Sequence, residues 1–97
     1  MLTVYKYPVP ALDEFTIDMP EGAKLLSYRG QHGSGCGTLF ALVEPSRPKV
    51  ERHFRLADSY ESIHDDRALI YVGTAHFDIT DSELHLFELG DIPKEGI

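Results

Sequence analysis

The 97-residue sequence has no tryptophan, one cysteine and no long apolar run. A single cysteine, Cys36, cannot close an intramolecular disulfide, so the chain fits a reducing compartment. No stretch approaches the roughly 20 apolar residues that span a bilayer. The opening segment, MLTVYKYPVP, lacks the basic start and the long apolar run of a signal peptide. We therefore expect a cytoplasmic protein that does not contact a membrane.

Basic side chains are also scarce. Nine lysines and arginines stand against sixteen aspartates and glutamates, which gives a formal net charge of −7. A field of this sign repels the phosphate backbone, so we expect no direct contact with nucleic acid. It favours a basic partner protein, including one that itself binds nucleic acid.

Phosphate-binding motifs are missing as well. The nearest candidate is GQHGSGCGTLF, residues 30–40. A phosphate loop needs a helix after it, whose N-terminal amides point at the anion, but TLFALV follows without helical spacing. The spacing of Gly33, Gly35 and Gly37 fits neither the dinucleotide fingerprint nor the P-loop. We predict a turn between two strands, in which the glycines permit positive φ.

The same stretch holds the most tempting nucleophile, Cys36, with His32 close to it in sequence. A reactive thiol needs a base, an orienting group and a depressed pKa. No orienting acid is evident here, so we predict a small inert thiol at the start of a strand. We expect no enzymatic activity and no cofactor, because no nucleophile, base and orienting group can be assembled from the sequence.

Short apolar segments broken by turns fill most of the chain. FTIDM places Phe15, Ile17 and Met19 on one side of a strand, and TLFALVE, apolar on both faces, predicts a central, fully buried strand. ADSYESIHDD is polar without a clear period and is interpreted as a loop or at most one helical turn. The pattern predicts an all-β fold: a small antiparallel β-sandwich or partly open barrel of seven or eight short strands. We expect one domain over residues 1–90 and a frayed tail over residues 91–97.

HFDITDSELHLFEL predicts a β-hairpin with Asp81 and Ser82 in its turn. This pairing places Asp78 opposite His85, with His76 on the same outward face. Two imidazoles and a carboxylate can hold a divalent metal, but no established ligand spacing supports a site. We predict a solvent-facing Asp–His pair and no metal. The predicted inward face of the hairpin consists of Phe77, Ile79, Leu84 and Leu86.

A basic segment, RPKVERHFR, is the exception to the acidic composition. Alternation puts Arg52 on the same strand face as Val50 and Phe54, where it either snorkels to the rim or pairs with a buried carboxylate. The segment either forms a solvated strand face paired with acids or binds an anion. Its basic residues are Arg47, Lys49, Arg52 and Arg55.

Six segments, YKYP, IDMPEGAKLLS, ALVEPSRP, HFR, YVGT and LHLFEL, occur in this order between Tyr5 and Leu89. In this respect the chain resembles a family of small uncharacterised proteins encoded by bacteriophages and prophages. It departs from that pattern at GQHGSGCG, which is longer and richer in glycine. The resemblance implies no known activity, cofactor or catalytic residue.

Phage proteins of this size and charge often bind and block host machinery. The leading hypothesis is therefore an accessory protein in the host cytoplasm that inhibits a component of antiviral defence, as anti-CRISPR proteins do. Two alternatives are an oligomeric sponge that binds a nucleotide signal through residues 47–55, and a structural accessory of the virion. For the leading hypothesis, the predicted partner-binding residues are exposed acids around an aromatic anchor: Tyr60, Glu61, Asp65, Asp66 and Glu88.

Overall fold

The computed structural model describes residues 1–30 and 35–90. Within these ranges the chain forms seven strands and no helix, so the prediction of an all-β fold is confirmed. The strands are β1 (Thr3–Pro8), β2 (Glu14–Pro20), β3 (Lys24–Arg29), β4 (Thr38–Val43), β5 (Lys49–Asp58), β6 (Leu69–Phe77) and β7 (Ser82–Leu89).

The strands build two antiparallel sheets that pack face to face without closing into a barrel. Sheet A has the order β1-β4-β3, and sheet B has the order β2-β5-β7-β6. The sandwich prediction is therefore confirmed in preference to the barrel. The predicted tail, residues 91–97, lies outside the described residues.

A single hydrophobic cluster lies between the sheets, and alternation along each strand supplies it. Phe15 and Met19 of β2 are buried, as the FTIDM pattern predicted, and the Phe15 ring stacks on Phe54 of β5 with centroids 5.6 Å apart. In sheet A, Leu39 and Ala41 of β4 are completely buried. The apolar residues thus hold the two sheets together.

The position of β4 at the centre of sheet A matches the prediction for TLFALVE. Its inward residues are buried, whereas Phe40 and Leu42 on its other side are only half-buried. The prediction of a central strand is therefore confirmed, whereas the prediction of full burial is wrong, because the outer face of sheet A is open to solvent.

The hairpin prediction is correct in its strands and wrong in its turn. β6 and β7 pair Phe77 with Ser82, so residues 78–81 form the turn, and the Asp81 amide donates to the Asp78 carbonyl at 3.3 Å. The observed β6–β7 register is shifted from the predicted one by an even number of residues. Side chains within the paired strands therefore stay on the side of the sheet that was predicted for them. Leu84 still packs against the core. Ile79, predicted to face inward, lies in the turn and is 90% exposed.

The glycine-rich segment connects β3 to β4, which are adjacent antiparallel strands. A strand follows it, as predicted, and not the helix that a phosphate loop needs. Gly35 and Gly37 have φ values of 89° and 98°. A Cβ on Gly37 would lie 2.4 Å from the Arg29 carbonyl oxygen, so only glycine fits there. His32 and Gly33 lie outside the described residues.

Residues 59–68 form a crossover, the predicted loop between β5 and β6. These two strands are each antiparallel to β7, which lies between them, so they run parallel to each other. The connection must return along the length of sheet B, and its contacts place it on the outer face. Ala57 and Leu89 point to this outer face and are nevertheless buried.

Candidate functional site

Ion pairs fix the crossover to sheet B. The Arg55 guanidinium donates to the Glu61 carboxylate at 2.5 Å. Farther along, the Arg67 side chain donates two hydrogen bonds to Asp65, at 2.8 and 2.9 Å, and lies 3.0 Å from Glu14 of β2. These hydrogen bonds lower the pKa of Asp65 to about 2. The acids of the crossover are therefore largely engaged by arginines of the same chain.

The five predicted partner-binding residues do not form one surface. Tyr60 is wholly exposed, with φ at 70°, and Asp66 is also exposed. The carboxylates of Glu61 and Asp65 are held by arginines, as described above. Glu88, predicted to be exposed, lies on the inner face of sheet B, and its side chain is only 17% exposed. Side chains alternate between the two sides of β7, and Glu88 lies two residues after the buried Leu86. Its side chain therefore points to the same inner side.

Arg52 forms the carboxylate pair that was one of its two predicted arrangements. Its Nε and Nη2 donate to the two oxygens of Glu88 at 2.6 and 2.8 Å. Its Nη1 donates to the carbonyl of Ala23 at 2.6 Å, just before β3 begins. One guanidinium thus connects β5 and β7 of sheet B to the chain entering sheet A. We assign this pair a structural role.

The basic segment does not converge on an anion site. Arg47 lies 3.5 Å from Glu21, and the guanidinium groups of Arg52 and Arg55 already bind carboxylates. Lys49 alone of the four makes no ion pair in the described part of the chain. Arg52 points to the inner face of sheet B, whereas Arg55 points to the outer face. Anion binding through this segment stays a prediction, without support from the arrangement.

One end of sheet B, where β5 ends and the β6–β7 turn protrudes, is strongly acidic. Two large apolar side chains at this end are almost fully exposed: Tyr60, just after β5, and Ile79, in the β6–β7 turn. None of the carboxylates at this end contacts a lysine or arginine within residues 1–30 and 35–90. We call this surface the acidic end and define it as Asp58, Tyr60, Asp78, Ile79, Asp81 and Glu83.

His76 lies beside the acidic end and is surrounded by its carboxylates. The imidazole nitrogens are 3.4 Å from Asp78, 3.6 Å from Asp81 and 3.8 Å from Glu83. The predicted pairing of Asp78 with His85 does not form, because Thr74 is the residue opposite His85. No group of three metal-ligating side chains is suitably placed among the residues that the structure describes.

His85 instead joins a chain of hydroxyl groups that the sequence did not indicate. Ser59 Oγ lies 2.8 Å from Nε2, and Thr74 Oγ1 lies 2.9 Å from Nδ1. A serine beside an imidazole has the form of a nucleophile and its base. However, the group on the other side of the imidazole is the neutral hydroxyl of Thr74. A hydroxyl cannot stabilise an imidazolium as a carboxylate does. We therefore interpret the chain as a link between the crossover, β6 and β7.

A cleft of about 490 Å³ separates the glycine-rich segment from the β6–β7 hairpin. Cys36 and His76 both line it. Burial, and secondarily the negative charge of Asp58, raises the pKa of the Cys36 thiol above its usual value. A raised pKa favours the thiol over the more reactive thiolate, and the inert character of Cys36 stays a prediction. The cleft also includes Phe77, Asp78, Thr80 and Leu84.

Comparison with known proteins gives a family but no activity. Within residues 1–30 and 35–90 there is no helix long and apolar enough to cross a bilayer. No solved structure matches the chain. A family model described as a domain of unknown function, DUF7352, matches residues 1–95. Because the match extends over nearly the whole sequence, the chain belongs to the uncharacterised DUF7352 family.

Proposed function

We propose that the protein is a non-catalytic binding module that acts by contacting a basic protein through the acidic end. The observation that carries the proposal is the exposure of Tyr60 and Ile79 at an end of sheet B whose described carboxylates no lysine or arginine neutralises. An exposed tyrosine is a frequent anchor of protein interfaces. The surrounding carboxylates favour a partner of opposite charge and exclude acidic competitors.

The energetics of such a contact favour these two side chains as its centre. Burying apolar surface contributes about 25 cal/mol per Å², and Tyr60 and Ile79 present almost all of theirs to water. The Tyr60 ring needs little ordering on binding, because an aromatic side chain has few rotatable bonds. The carboxylates would then surround the anchors as a charged rim that accelerates association.

The wider setting belongs to the same proposal. The sequence resemblance supports a phage or prophage origin, and the net charge of −7 supports a basic target. The proposed target is a nucleic-acid-binding component of antiviral defence in the host cytoplasm, such as a nuclease, which the protein inhibits by occlusion. An acidic surface that competes with nucleic acid for a basic groove would act in this way.

A capture experiment with matched variants tests the proposal. Immobilised wild-type protein is incubated with lysates of candidate bacterial hosts, and bound proteins are identified and quantified by mass spectrometry. The test variant is Tyr60→Asn with Ile79→Ser, because asparagine tolerates the positive φ of residue 60. The control is Val50→Thr, an exposed apolar position at the opposite end of β5.

The expected result is a basic protein in stoichiometric amount that the wild type and the control retain and the test variant loses. Because anchor residues typically contribute at least 2 kcal/mol each, recovery should fall more than tenfold. Equal recovery by the test variant would show that the acidic end is not the contact surface. Failure to recover any basic protein across hosts would refute the proposed function.

A further inference from the structure

Basic charge is segregated within the fold. The three strands of sheet A contain Lys6, Lys24 and Arg29 and no acidic residue. The rest of the chain holds six basic and sixteen acidic side chains. Sheet A is therefore a positively charged layer in a protein whose net charge is −7.

Strand register places all three cations on the outer face of sheet A. Lys6 is directly opposite Phe40 of β4, and Lys24 is opposite Leu42, which also pairs with Val4 of β1. Arg29 also points outward, near the end of β3 and opposite Thr38. Residues directly opposite each other in an antiparallel pair point to the same side of the sheet. The three cations thus surround an apolar centre formed by Val4, Phe40 and Leu42.

These cations have no partner within the part of the chain that the structure describes. No ion pair or hydrogen bond engages the side chain of Lys6, Lys24 or Arg29. The four other described arginines all contact carboxylates. The apolar centre is also incompletely covered: Val4 is 50% exposed, and the neighbouring Leu26, the extra residue of a β-bulge in β3, is 47% exposed. Unpaired charges around exposed apolar surface are typical of an interface.

We infer that the outer face of sheet A is a second docking surface, for a short acidic protein segment that carries apolar side chains. Its carboxylates would pair with Lys6, Lys24 and Arg29, and its apolar side chains would cover Val4, Phe40 and Leu42. The inference goes beyond the proposed function, because this face has the opposite charge and other residues.

The overall charge favours a short segment over an extended anionic surface. Three strands of six residues cover about 10 by 20 Å. At physiological ionic strength, charges farther than about 8 Å are largely screened, so a segment of this size is attracted chiefly by the three nearby cations. A membrane or a nucleic acid would extend past the face and be repelled by the acidic remainder. A second copy packed face to face would bring like charges together.

Binding of a defined probe to the isolated protein tests the inference. The probe is a fluorescein-labelled ten-residue peptide in which glutamate alternates with valine, and its binding is followed by fluorescence anisotropy. The test variant is Lys6→Glu with Lys24→Glu. The control is Lys49→Glu, which reverses the charge of another exposed lysine that makes no ion pair in the described ranges but lies on sheet B. Circular dichroism verifies that each variant is folded.

The peptide should bind the wild type and the control, more weakly at higher salt. Reversal of two cations should weaken binding about tenfold or more. Tyr60→Asn should leave peptide binding unchanged, which separates this inference from the proposed function. An equal loss in Lys49→Glu, or no binding to the wild type, would overturn the inference. Tighter binding of phosphatidylserine vesicles or single-stranded DNA would also overturn it, as would self-association that Lys6→Glu abolishes.

Discussion

The outer faces of the two sheets differ in how their charges are used. On sheet B, the crossover returns over the face, where its Glu61 binds Arg55 of β5 and its Arg67 lies 3.0 Å from Glu14 of β2. On sheet A, the face is open, and Lys6, Lys24 and Arg29 have no partner in the described part of the chain. A face that the chain covers itself uses its charges for stability, whereas an open face keeps them available for another molecule. We therefore expect substitution of a paired arginine to lower stability, most of all at Arg52 on the inner face of sheet B, and substitution of an unpaired cation of sheet A to change it little.

The largest effect is expected for Arg52→Ala. The substitution leaves Glu88 largely buried without its partner, which should lower the free energy of unfolding by about 2–3 kcal/mol. Urea denaturation measures the loss. The double variant Arg52→Met with Glu88→Leu should recover much of it, since no charge then remains buried.

Arg47→Ala is the matched control for Arg52→Ala, because its pair with Glu21 is exposed. It should change the free energy of unfolding by less than about 0.5 kcal/mol. Equal losses for Arg47→Ala and Arg52→Ala would show that burial does not distinguish the two pairs.

A smaller, pH-dependent effect is expected at the crossover. The pKa of Asp65 is about 2 in the folded protein, below the 3.8 of an unperturbed aspartate, because Arg67 donates to its carboxylate. A lowered pKa stabilises the fold fully above pH 3.8, and this stabilisation disappears as the pH falls through about 2. The urea midpoint of the wild type should therefore exceed that of Asp65→Asn at pH 5, and the two should converge near pH 2.

Asp66→Asn is the control for this experiment, because it makes the same chemical change on the adjacent residue, which forms no ion pair within the described ranges. Its urea midpoint should stay close to that of the wild type at pH 5. A difference between wild type and Asp65→Asn that persists unchanged at pH 2 would contradict the assignment of the pair.

The smallest effect is expected for Lys6→Thr on sheet A. Threonine preserves the preference for a strand, and no ion pair is lost, so the free energy of unfolding should change by less than about 0.5 kcal/mol. Thermal unfolding at low and high salt provides the measurement. A loss above about 1 kcal/mol would show that Lys6 has a structural role and would weaken the contrast between the sheets.

Local patterns predicted the strands well because alternation is a property of neighbouring residues. The alternation in FTIDM correctly predicted which side chains of β2 face the core. Arg52 lies two residues before Phe54 on β5, so alternation also predicted that its side chain points to the core side. The same argument, applied to Leu86 and Glu88, would have identified Glu88 as inward. That signal was present in the sequence, and the prediction of an exposed acid overlooked it.

Other features depend on the path of the chain and could not be predicted locally. The length of the β6–β7 turn decides whether Ile79 is buried or exposed, and several turns fit the same residues. The contact between Ser59 and His85 requires the crossover to pass over sheet B. The exposure of the outer face of sheet A likewise depends on what the rest of the chain covers.

The strand order of sheet B has a consequence for biosynthesis. Among the described strands, β6 pairs in this sheet only with β7, which follows it in the chain. While the polypeptide emerges from the ribosome, β6 therefore gains a hydrogen-bonded neighbour only once β7 has emerged. Until then the edge of β5 that β7 will occupy is unpaired, and translation that stops before β7 would release a chain prone to aggregate.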